Sequence, residues 1–373
     1  MRCRLISVIA SIAAAACFAT SPNICLAADH PPLPALIAGA DMSVLPVMEA
    51  QGAVYKVDGK PVDAMQALAD HGFNCVRLRL WVNPTHDDVM VNDLACTIGL
   101  ARRAKLAHML VLLDIHYSDT WADAGKQFKP SAWNNLSFDQ LSDQVRSYTA
   151  NVISTMRKEG VMPDIVQVGN EITGGMLWPD GKDWGLGHDF KNFGTLLRSG
   201  IYGVKEGAGI DPAPWIMIHI DRGGDWGGTK WFFDGIEAEN VPFDLIGESY
   251  YPQFHGPISG LKETLFNAAA RYGKPIVVVE TAYQFEPNQK PPAAGMTYPE
   301  TPEGQLSYLR DLKTLVQSVP GGLGRGIVYW EPAWLPTKQR GGAWDTTALF
   351  DDNGNALPSL DIFAKSTRVT QVR

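Results

Sequence analysis

The feature that most constrains the fold is an alternation of short apolar runs and longer amphipathic stretches along the chain. Runs rich in Val, Ile and Leu are typical of strands buried on both faces, and the stretches between them are typical of covering helices. Eight such runs predict an α/β fold, a single-domain (β/α)8 TIM barrel, with a doubly wound open sheet as the alternative. No Gly-rich dinucleotide fingerprint directly follows a strand, which disfavours that alternative. The runs lie at residues 36–41, 75–80, 109–116, 165–170, 215–220, 245–250, 275–280 and 326–331.

The N-terminus has the pattern of an export signal. Two arginines precede the uncharged apolar run 5–19, and a site of small residues follows near Ala28. This order is typical of a cleavable signal peptide, and the run is too short for a membrane span. We therefore expect a signal peptide at 1–28, one folded domain at 29–373, and a secreted protein, extracellular or periplasmic, with no membrane contact after cleavage.

Composition narrows the choice of partner. The chain carries 40 acidic residues against 32 Lys and Arg, a formal net charge of −8, which argues against nucleic acid or an anionic membrane surface. Eleven Trp suit either a large core or a groove on whose rings sugars stack.

Beyond the predicted signal peptide only Cys75 and Cys96 remain, and the sequence allows either one disulfide between them or two free thiols. We expect a monomer.

Polar and aromatic side chains gather where the predicted strands end. In a barrel these C-terminal ends form one rim, and barrel active sites lie there. Glu171 and Glu280 each follow a strongly apolar run, so burial raises their pKa values unless a cation pairs with them. Glycoside hydrolysis needs one carboxyl to protonate the leaving oxygen and another to attack the sugar or activate water. The two Glu are the candidate catalytic pair, and salt bridges to barrel arginines are the structural alternative.

Other strand-end residues are candidates for supporting this pair. Asn170 suits a sugar 2-hydroxyl, with a turn-forming Asn as the alternative. Arg79 is expected to hold Glu280 ionised by a charge-assisted hydrogen bond, with a barrel-filling ion pair as the alternative. His116 is expected to donate to a sugar hydroxyl or a carboxylate, unless it is a satisfied core residue. Further candidates for supporting the pair or binding substrate are Asp41, Trp121, Tyr250, Trp330 and Trp344.

The sequence contains no motif that is typical of metal-dependent hydrolases. There is no His-x-His after the first predicted strand and no His-Glu-x-x-His, so we expect catalysis without a cofactor. A structural Ca²⁺ in a loop stays possible, because Asp and backbone oxygens are its usual ligands. The stretches 175–187 and 221–225 are the candidates.

At the level of longer motifs the chain resembles the endo-β-1,4-galactanases of glycoside hydrolase family 53 over nearly the whole predicted mature length. The resemblance implies a retaining mechanism, with Glu171 as acid/base and Glu280 as nucleophile. It implies supporting roles for Asn170, Arg79 and His116, and an aromatic floor at Trp330. The implied substrate is unbranched β-1,4-galactan, the side chain of pectic arabinogalactan type I, cut internally. The matching segments are 39–43 (GADMS), 74–81 (NCVRLRLW), 116–123 (HYSDTWAD), 166–173 (VQVGNEIT), 176–181 (MLWPDG), 280–283 (ETAY), 329–334 (YWEPAW) and 348–351 (ALFD).

Two departures from the family pattern leave questions open. Glu248 stands where an apolar residue is expected, and its side chain points either into the barrel or toward the helices. The segment 285–297 follows the proposed nucleophile strand and differs from expectation, so subsite preference and product length stay open. The alternatives to a galactanase are a related barrel glycosidase acting on mannan, xylan or glucan, and a catalytically dead carbohydrate-binding barrel.

Overall fold

The architecture is a closed barrel of eight parallel strands, which confirms the predicted (β/α)8 fold. The computed structural model describes residues 30–185, 189–287, 295–336 and 344–364, so the predicted signal peptide lies outside the described residues. Going around the barrel, the strand order is β1-β8-β7-β6-β5-β4-β3-β2. The strands are β1 (Ile37–Asp41), β2 (Cys75–Leu80), β3 (Leu110–Ile115), β4 (Ile165–Val168), β5 (Trp215–Ile220), β6 (Leu245–Ser249), β7 (Ile276–Thr281) and β8 (Gly324–Tyr329).

Helices cover the outside of the barrel, and side chains cap several of their first turns. Asp63, Asp93, Asp189 and Thr301 each accept a hydrogen bond from a backbone N–H of the first turn. Such caps satisfy donors that have no partner inside the helix. The helices are α1 (Leu45–Ala50), α2 (Ala64–Asp70), α3 (Leu94–Leu106), α4 (Phe138–Lys158), α5 (Phe190–Ala208), α6 (Trp226–Ala238), α7 (Pro252–His255), α8 (Ile258–Tyr272) and α9 (Pro302–Gln317), with a last 3-10 turn at Pro358–Phe363.

Alternate residues of each strand face opposite sides of the barrel wall. Nine buried residues fill the interior toward the N-terminal ends of the strands, among them Cys75 and Leu245. Their neighbours Val76 and Ile246 belong to the outer core against the helices. Side chains two and four residues further along repeat these directions, except on β7, whose pairing register shifts between Val278 and Thr281, so that Glu280 lines the cleft although Val279 faces the interior.

Two smaller features complete the description. Cys75 and Cys96 are both free thiols, which settles the alternative that the sequence left open. A short hairpin pairs Gly175–Met176 with Gly181–Lys182 beyond the end of β4. Within the described ranges, no helix has the length and apolar character needed to cross a membrane.

Candidate active site

A cleft of about 560 Å³ opens at the C-terminal ends of the barrel strands, and both Glu171 and Glu280 line it. Glu280 belongs to β7, and Glu171 lies three residues beyond the end of β4. The backbone at Glu171 is left-handed (φ 44°), an uncommon conformation for a residue with a side chain. The rim location predicted from the strand ends is therefore confirmed for both carboxyls.

Glu280 lies against a cation and a phenol. Arg77 Nη1 is 2.8 Å from Glu280 Oε1, and the Tyr251 hydroxyl donates to Glu280 Oε2 at 3.0 Å. Burial raises the pKa of Glu280, and the Arg77 charge opposes that rise. The expectation that Arg79 holds Glu280 is wrong, because Arg79 Nη2 donates instead to Glu331 Oε1 at 2.6 Å.

Arg77 is the centre of a buried polar network. Its guanidinium donates to Asp41 at 3.0 Å, to Asp114 at 2.9 Å and to Asn170 Oδ1 at 2.7 Å. Its Nε donates to Gln167 Oε1 at 3.2 Å. The planar guanidinium presents five N–H donors in a fixed geometry, so one side chain can hold several acceptors together. Sequence reasoning missed this role of Arg77.

Glu171 has the opposite environment. Burial raises the pKa of Glu171 well above its usual range, and the charge of Glu280 raises it further. The carboxyls of Asp221 and Asp123 act in the same direction. Among the described residues, the one hydrogen bond to its carboxyl comes from the Ser249 hydroxyl, which donates to Oε1 at 2.7 Å. Glu171 is therefore the carboxyl of the pair that holds a proton more readily.

Asn170 and His116 also line the cleft. Asn170 Nδ2 donates to the Ala122 carbonyl at 2.9 Å, which fixes the orientation of the amide. His116 Nε2 is 3.0 Å from Asp114 Oδ2, and His116 Nδ1 accepts the Ala122 N–H at 3.2 Å. Of the two roles expected for His116, the bond to a carboxylate is present, and no ring nitrogen is left to donate to a sugar.

Asp41 supports the network from below. It is fully buried and does not line the cleft. Burial works to raise the pKa of Asp41, but Arg79, Arg77 and the Ser43 hydroxyl outweigh it and hold the pKa below its usual range. Asp41 therefore lies where it can support the site, but it does not line the cleft. Burial and the charge of Asp41 raise the pKa of Glu331 well above its usual range.

Aromatic rings form a wall of the cleft. The ring of Trp330 stacks on Trp334 with centroids 5.6 Å apart and lies 4.4 Å from Trp344. On another side Trp121 packs on Arg79, whose guanidinium lies 4.4 Å from the ring centroid. All four Trp line the cleft, so the predicted positions of Trp121, Trp330 and Trp344 are confirmed and Trp334 joins them.

Tyr250 does not belong to this wall. Its side chain is fully buried, and its hydroxyl donates to the Gly256 carbonyl at 2.8 Å. Tyr250 therefore does not line the cleft, and its candidate role stays a prediction. The next residue, Tyr251, lines the cleft and contacts Glu280.

Glu248 points away from the cleft. The Thr229 hydroxyl of α6 donates to its Oε1 at 3.0 Å, and the Arg222 N–H donates to its Oε2 at 3.2 Å. The orientation left open by the sequence is therefore toward the helices. Burial raises its pKa well above the usual range, but the group lies on the outer side of the barrel wall.

The loops named for a possible Ca²⁺ are only partly described. In the described ranges no three His, Cys, Asp or Glu side chains come together as a metal site. Residues 186–187 of the stretch 175–187, and 288–294 of the divergent segment 285–297, lie outside the described residues.

The chain is similar to a known protein family and to solved structures of that family. The family model described as glycosyl hydrolase family 53 matches residues 37–363. The chain is 39% identical to a probable arabinogalactan endo-beta-1,4-galactanase A of Aspergillus terreus, over 84% of this chain and 90% of the relative. It is similar to a structure of fungal beta-1,4-galactanases, with a TM-score of 0.79 and 36% identity over 87% of this chain and 98% of that one. The GH53 catalytic domain of Ignisphaera aggregans gives a TM-score of 0.79 and 35% identity, over 89% and 97% of the two chains.

Proposed function

The chain belongs to glycosyl hydrolase family 53 and is a glycoside hydrolase, and on that premise we propose that it hydrolyses β-1,4-galactan by internal cuts. One observation carries the proposal. Two buried carboxyls face the same open cleft in opposite environments, Glu280 against Arg77 and Glu171 among other acids. Pairs of carboxyls with separated pKa values are the arrangement that divides acid and nucleophile roles. The named relatives, whose names specify arabinogalactan and β-1,4-linked galactan, supply the substrate class.

The proposed mechanism retains configuration at the anomeric carbon. The Glu280 carboxylate attacks that carbon while Glu171 gives its proton to the leaving glycosidic oxygen, and a covalent glycosyl-enzyme forms. Glu171, now ionised, takes a proton from water as the water attacks the same carbon, and Glu280 is released. The arrangement requires a carboxyl separation of about 5–5.5 Å, whereas inverting enzymes need roughly 6.5–9.5 Å.

The walls of the cleft suit a neutral sugar chain. Trp330, Trp334 and Trp344 offer apolar ring faces for the flat sides of sugars. An open cleft admits the middle of a polymer, whereas a closed pocket admits only its end. We propose that the physiological polymer is the galactan side chain of pectic arabinogalactan type I.

The test is product formation from purified β-1,4-galactan, with β-1,4-mannan and xylan as parallel substrates. We expect short galacto-oligosaccharides from galactan, a fast fall in viscosity, and product of retained configuration by proton NMR of the first turnovers. Cleavage of mannan or xylan without galactan contradicts the substrate class, and silence on all three favours the dead-barrel alternative.

Variants separate the two carboxyl roles. Glu280→Gln is expected to lose nearly all activity, whereas Glu171→Ala keeps its first step on an aryl galactoside whose leaving group needs no proton. With that substrate, added azide should restore turnover of Glu171→Ala and yield the β-azide, since no ionised carboxylate repels the anion. A Glu280→Gln enzyme with near-normal rate rules Glu280 out as nucleophile.

Export, assembly and cofactor independence are further parts of the proposal. The basic, then apolar, then small-residue order of 1–28 supports secretion after cleavage near Ala28. We propose a monomer that acts on its polysaccharide without a cofactor, because two carboxyls suffice for the chemistry. N-terminal sequencing of exported protein, light scattering, and activity after dialysis against EDTA test these points. A fall in thermal stability with unchanged activity after that dialysis reveals a structural Ca²⁺.

A further inference from the structure

A buried chain of hydrogen bonds ends on the carboxyl of Glu171. The Ser249 hydroxyl lies 2.7 Å from Glu171 Oε1, and His219 Nε2 lies 2.8 Å from Ser249 Oγ. Ser249 and His219 are both fully buried at the ends of β6 and β5. No described residue hydrogen-bonds the second oxygen of Glu171, Oε2. The two oxygens of this carboxyl therefore have different surroundings.

The direction of the hydrogen bonds follows from the partners of His219 Nδ1. Arg77 donates to Gln167 Oε1, so Gln167 Nε2 carries the amide hydrogens; it lies 3.0 Å from His219 Nδ1 and also reaches Asp114 Oδ1 at 2.5 Å. The backbone N–H of Glu171 also points at this nitrogen, at 3.5 Å. Asn170 Oδ1 lies 3.1 Å from it and accepts from Arg77. Facing two N–H donors, Nδ1 is the acceptor, so the ring proton is on Nε2 and is donated to Ser249 Oγ.

Burial favours the neutral ring that this pattern needs. Burial lowers the pKa of His219 well below its usual range, and the charge of Arg77 lowers it further. With its oxygen accepting from His219, the Ser249 hydroxyl has its own proton free to donate to Glu171 Oε1. A donor fixed on Oε1 leaves the acidic proton of the carboxyl on Oε2.

We propose that Ser249, oriented by His219, is a positioning residue for the general acid, because its hydroxyl occupies Glu171 Oε1 and reserves Oε2 for the proton that goes to the leaving oxygen. This inference rests on the proposed function of Glu171. The same hydrogen bond stabilises the carboxylate after proton transfer, when Glu171 must act as base. It also offsets part of the effect of Glu280, Asp221 and Asp123, the carboxyls that face Glu171 from neighbouring elements.

The test compares Ser249→Ala with Ser249→Thr, which keeps the hydroxyl, and with Ser359→Ala as a matched control. Ser359 is a buried serine whose hydroxyl donates to Gln305, and neither residue lines the cleft. On galactan, Ser249→Ala should lose kcat/KM by about ten-fold, the effect of one hydrogen bond to a charged group. On an aryl galactoside whose leaving group needs no proton, kcat/KM should stay near wild type. The basic limb of the pH–kcat/KM profile should move to higher pH, because the carboxylate has lost a donor.

Two results overturn the inference. Equal losses on galactan and on the aryl substrate, or a basic limb that does not move, mean that Ser249 is merely structural. Nitrogen NMR of the wild-type ring, independent of any variant's folding, should show neutral His219 with its proton on Nε2, and a proton on Nδ1 contradicts the proposal. If wild type itself fails to cleave galactan, the proposed function fails, and the NMR result still decides the hydrogen-bond direction.

Discussion

Replacing Arg77 with Lys tests the charge network that holds the proposed nucleophile. Arg77 is almost fully buried and contacts three carboxylates, Asp41, Asp114 and Glu280, at 2.8 to 3.0 Å. Lys keeps the positive charge but presents one ammonium group in place of a planar fork. It can meet part of this set at best, and at least one buried carboxylate then loses its donor.

The expected loss of stability follows from that count. Breaking a buried ion pair costs about 3–5 kcal/mol, because a desolvated charge is left without a partner. A domain with a total stability of roughly 5–15 kcal/mol survives such a loss, but with a clearly lower urea midpoint. For activity, Arg77 works against burial to lower the pKa of Glu280. With Lys in its place the pKa of Glu280 rises, and the acid limb of the pH–kcat/KM profile moves to higher pH.

Arg103→Lys is the matched control. Arg103 also bonds two carboxylates, Glu49 and Asp63, at 2.6 to 2.8 Å, but it is 30% exposed. Exposed ion pairs contribute about 0–1 kcal/mol to stability, so Arg103→Lys should have a urea midpoint close to that of the wild type and keep its pH profile. Equal urea midpoints for the two variants, or an acid limb that does not move in Arg77→Lys, refute the reasoning.

Two further changes probe the wall of the cleft and a buried carboxyl that follows the hairpin strand Gly181–Lys182. Phe254 of α7 is 67% exposed and lines the cleft, so Phe254→Ala should raise KM for galactan about five-fold through lost ring contact. The control is Trp231→Ala, which removes an exposed aromatic ring of α6 outside the cleft and should leave KM unchanged. Equal KM values for the two variants would refute a stacking role for Phe254. Asp183 is buried, its carboxylate has no hydrogen-bond partner among the described residues, and burial raises its pKa to about 8 from 3.8. Because the pKa of Asp183 is higher in the folded than in the unfolded chain, the stability of the wild type falls as pH rises from about 4 to 8. Asp183→Asn should therefore be more stable than wild type at pH 9 by on the order of a few kcal/mol, and equally stable below pH 4. The same difference in melting temperature at both pH values would contradict this.

The fold was predictable because burial on both faces leaves a strong trace in the sequence. Strands β2 and β5 begin and end where the apolar runs do, and the other strands differ by one or two residues at their ends. Glu171 and Glu280 were predictable for the same reason, since a carboxyl directly after such a run must lie at the rim. The free state of Cys75 and Cys96 was not, because it depends on distances between elements.

The choice between Arg77 and Arg79 shows where the sequence stops. The two arginines lie two residues apart on β2, so both face the barrel interior, and the two-residue period of a strand cannot show which of them contacts Glu280. They differ by about 7 Å along the strand. Register decides the rest: Arg77 lies beside Asp41, and Arg79 lies beside Asp114 one layer further out. Which layer reaches Glu280 depends on the tilt of eight strands, which no single strand records.

The positions of Tyr250 and Tyr251 follow from the alternation of side chains along β6. Ser249 and Leu245 have the same parity on β6, and Leu245 fills the barrel interior. Tyr251 continues that parity, whereas Tyr250 shares the outward parity of Glu248. Assigning the carboxyl of Glu248 to the outer face resolves both positions together, and only the bonds of Glu248 to α6 and its preceding loop show that assignment.

The difference in pKa between Glu171 and Glu280 also has its origin in neighbouring side chains. Both follow apolar runs, and burial alone raises both pKa values. Arg77 reaches Glu280, while the charged groups around Glu171 are further carboxyls, so the two are driven apart. The asymmetry rests on Arg77 of β2 and on Asp221 and Asp123, which follow β5 and β3 and are distant in sequence from either Glu. A change at those positions should therefore alter which carboxyl is protonated at a given pH without touching the pair itself.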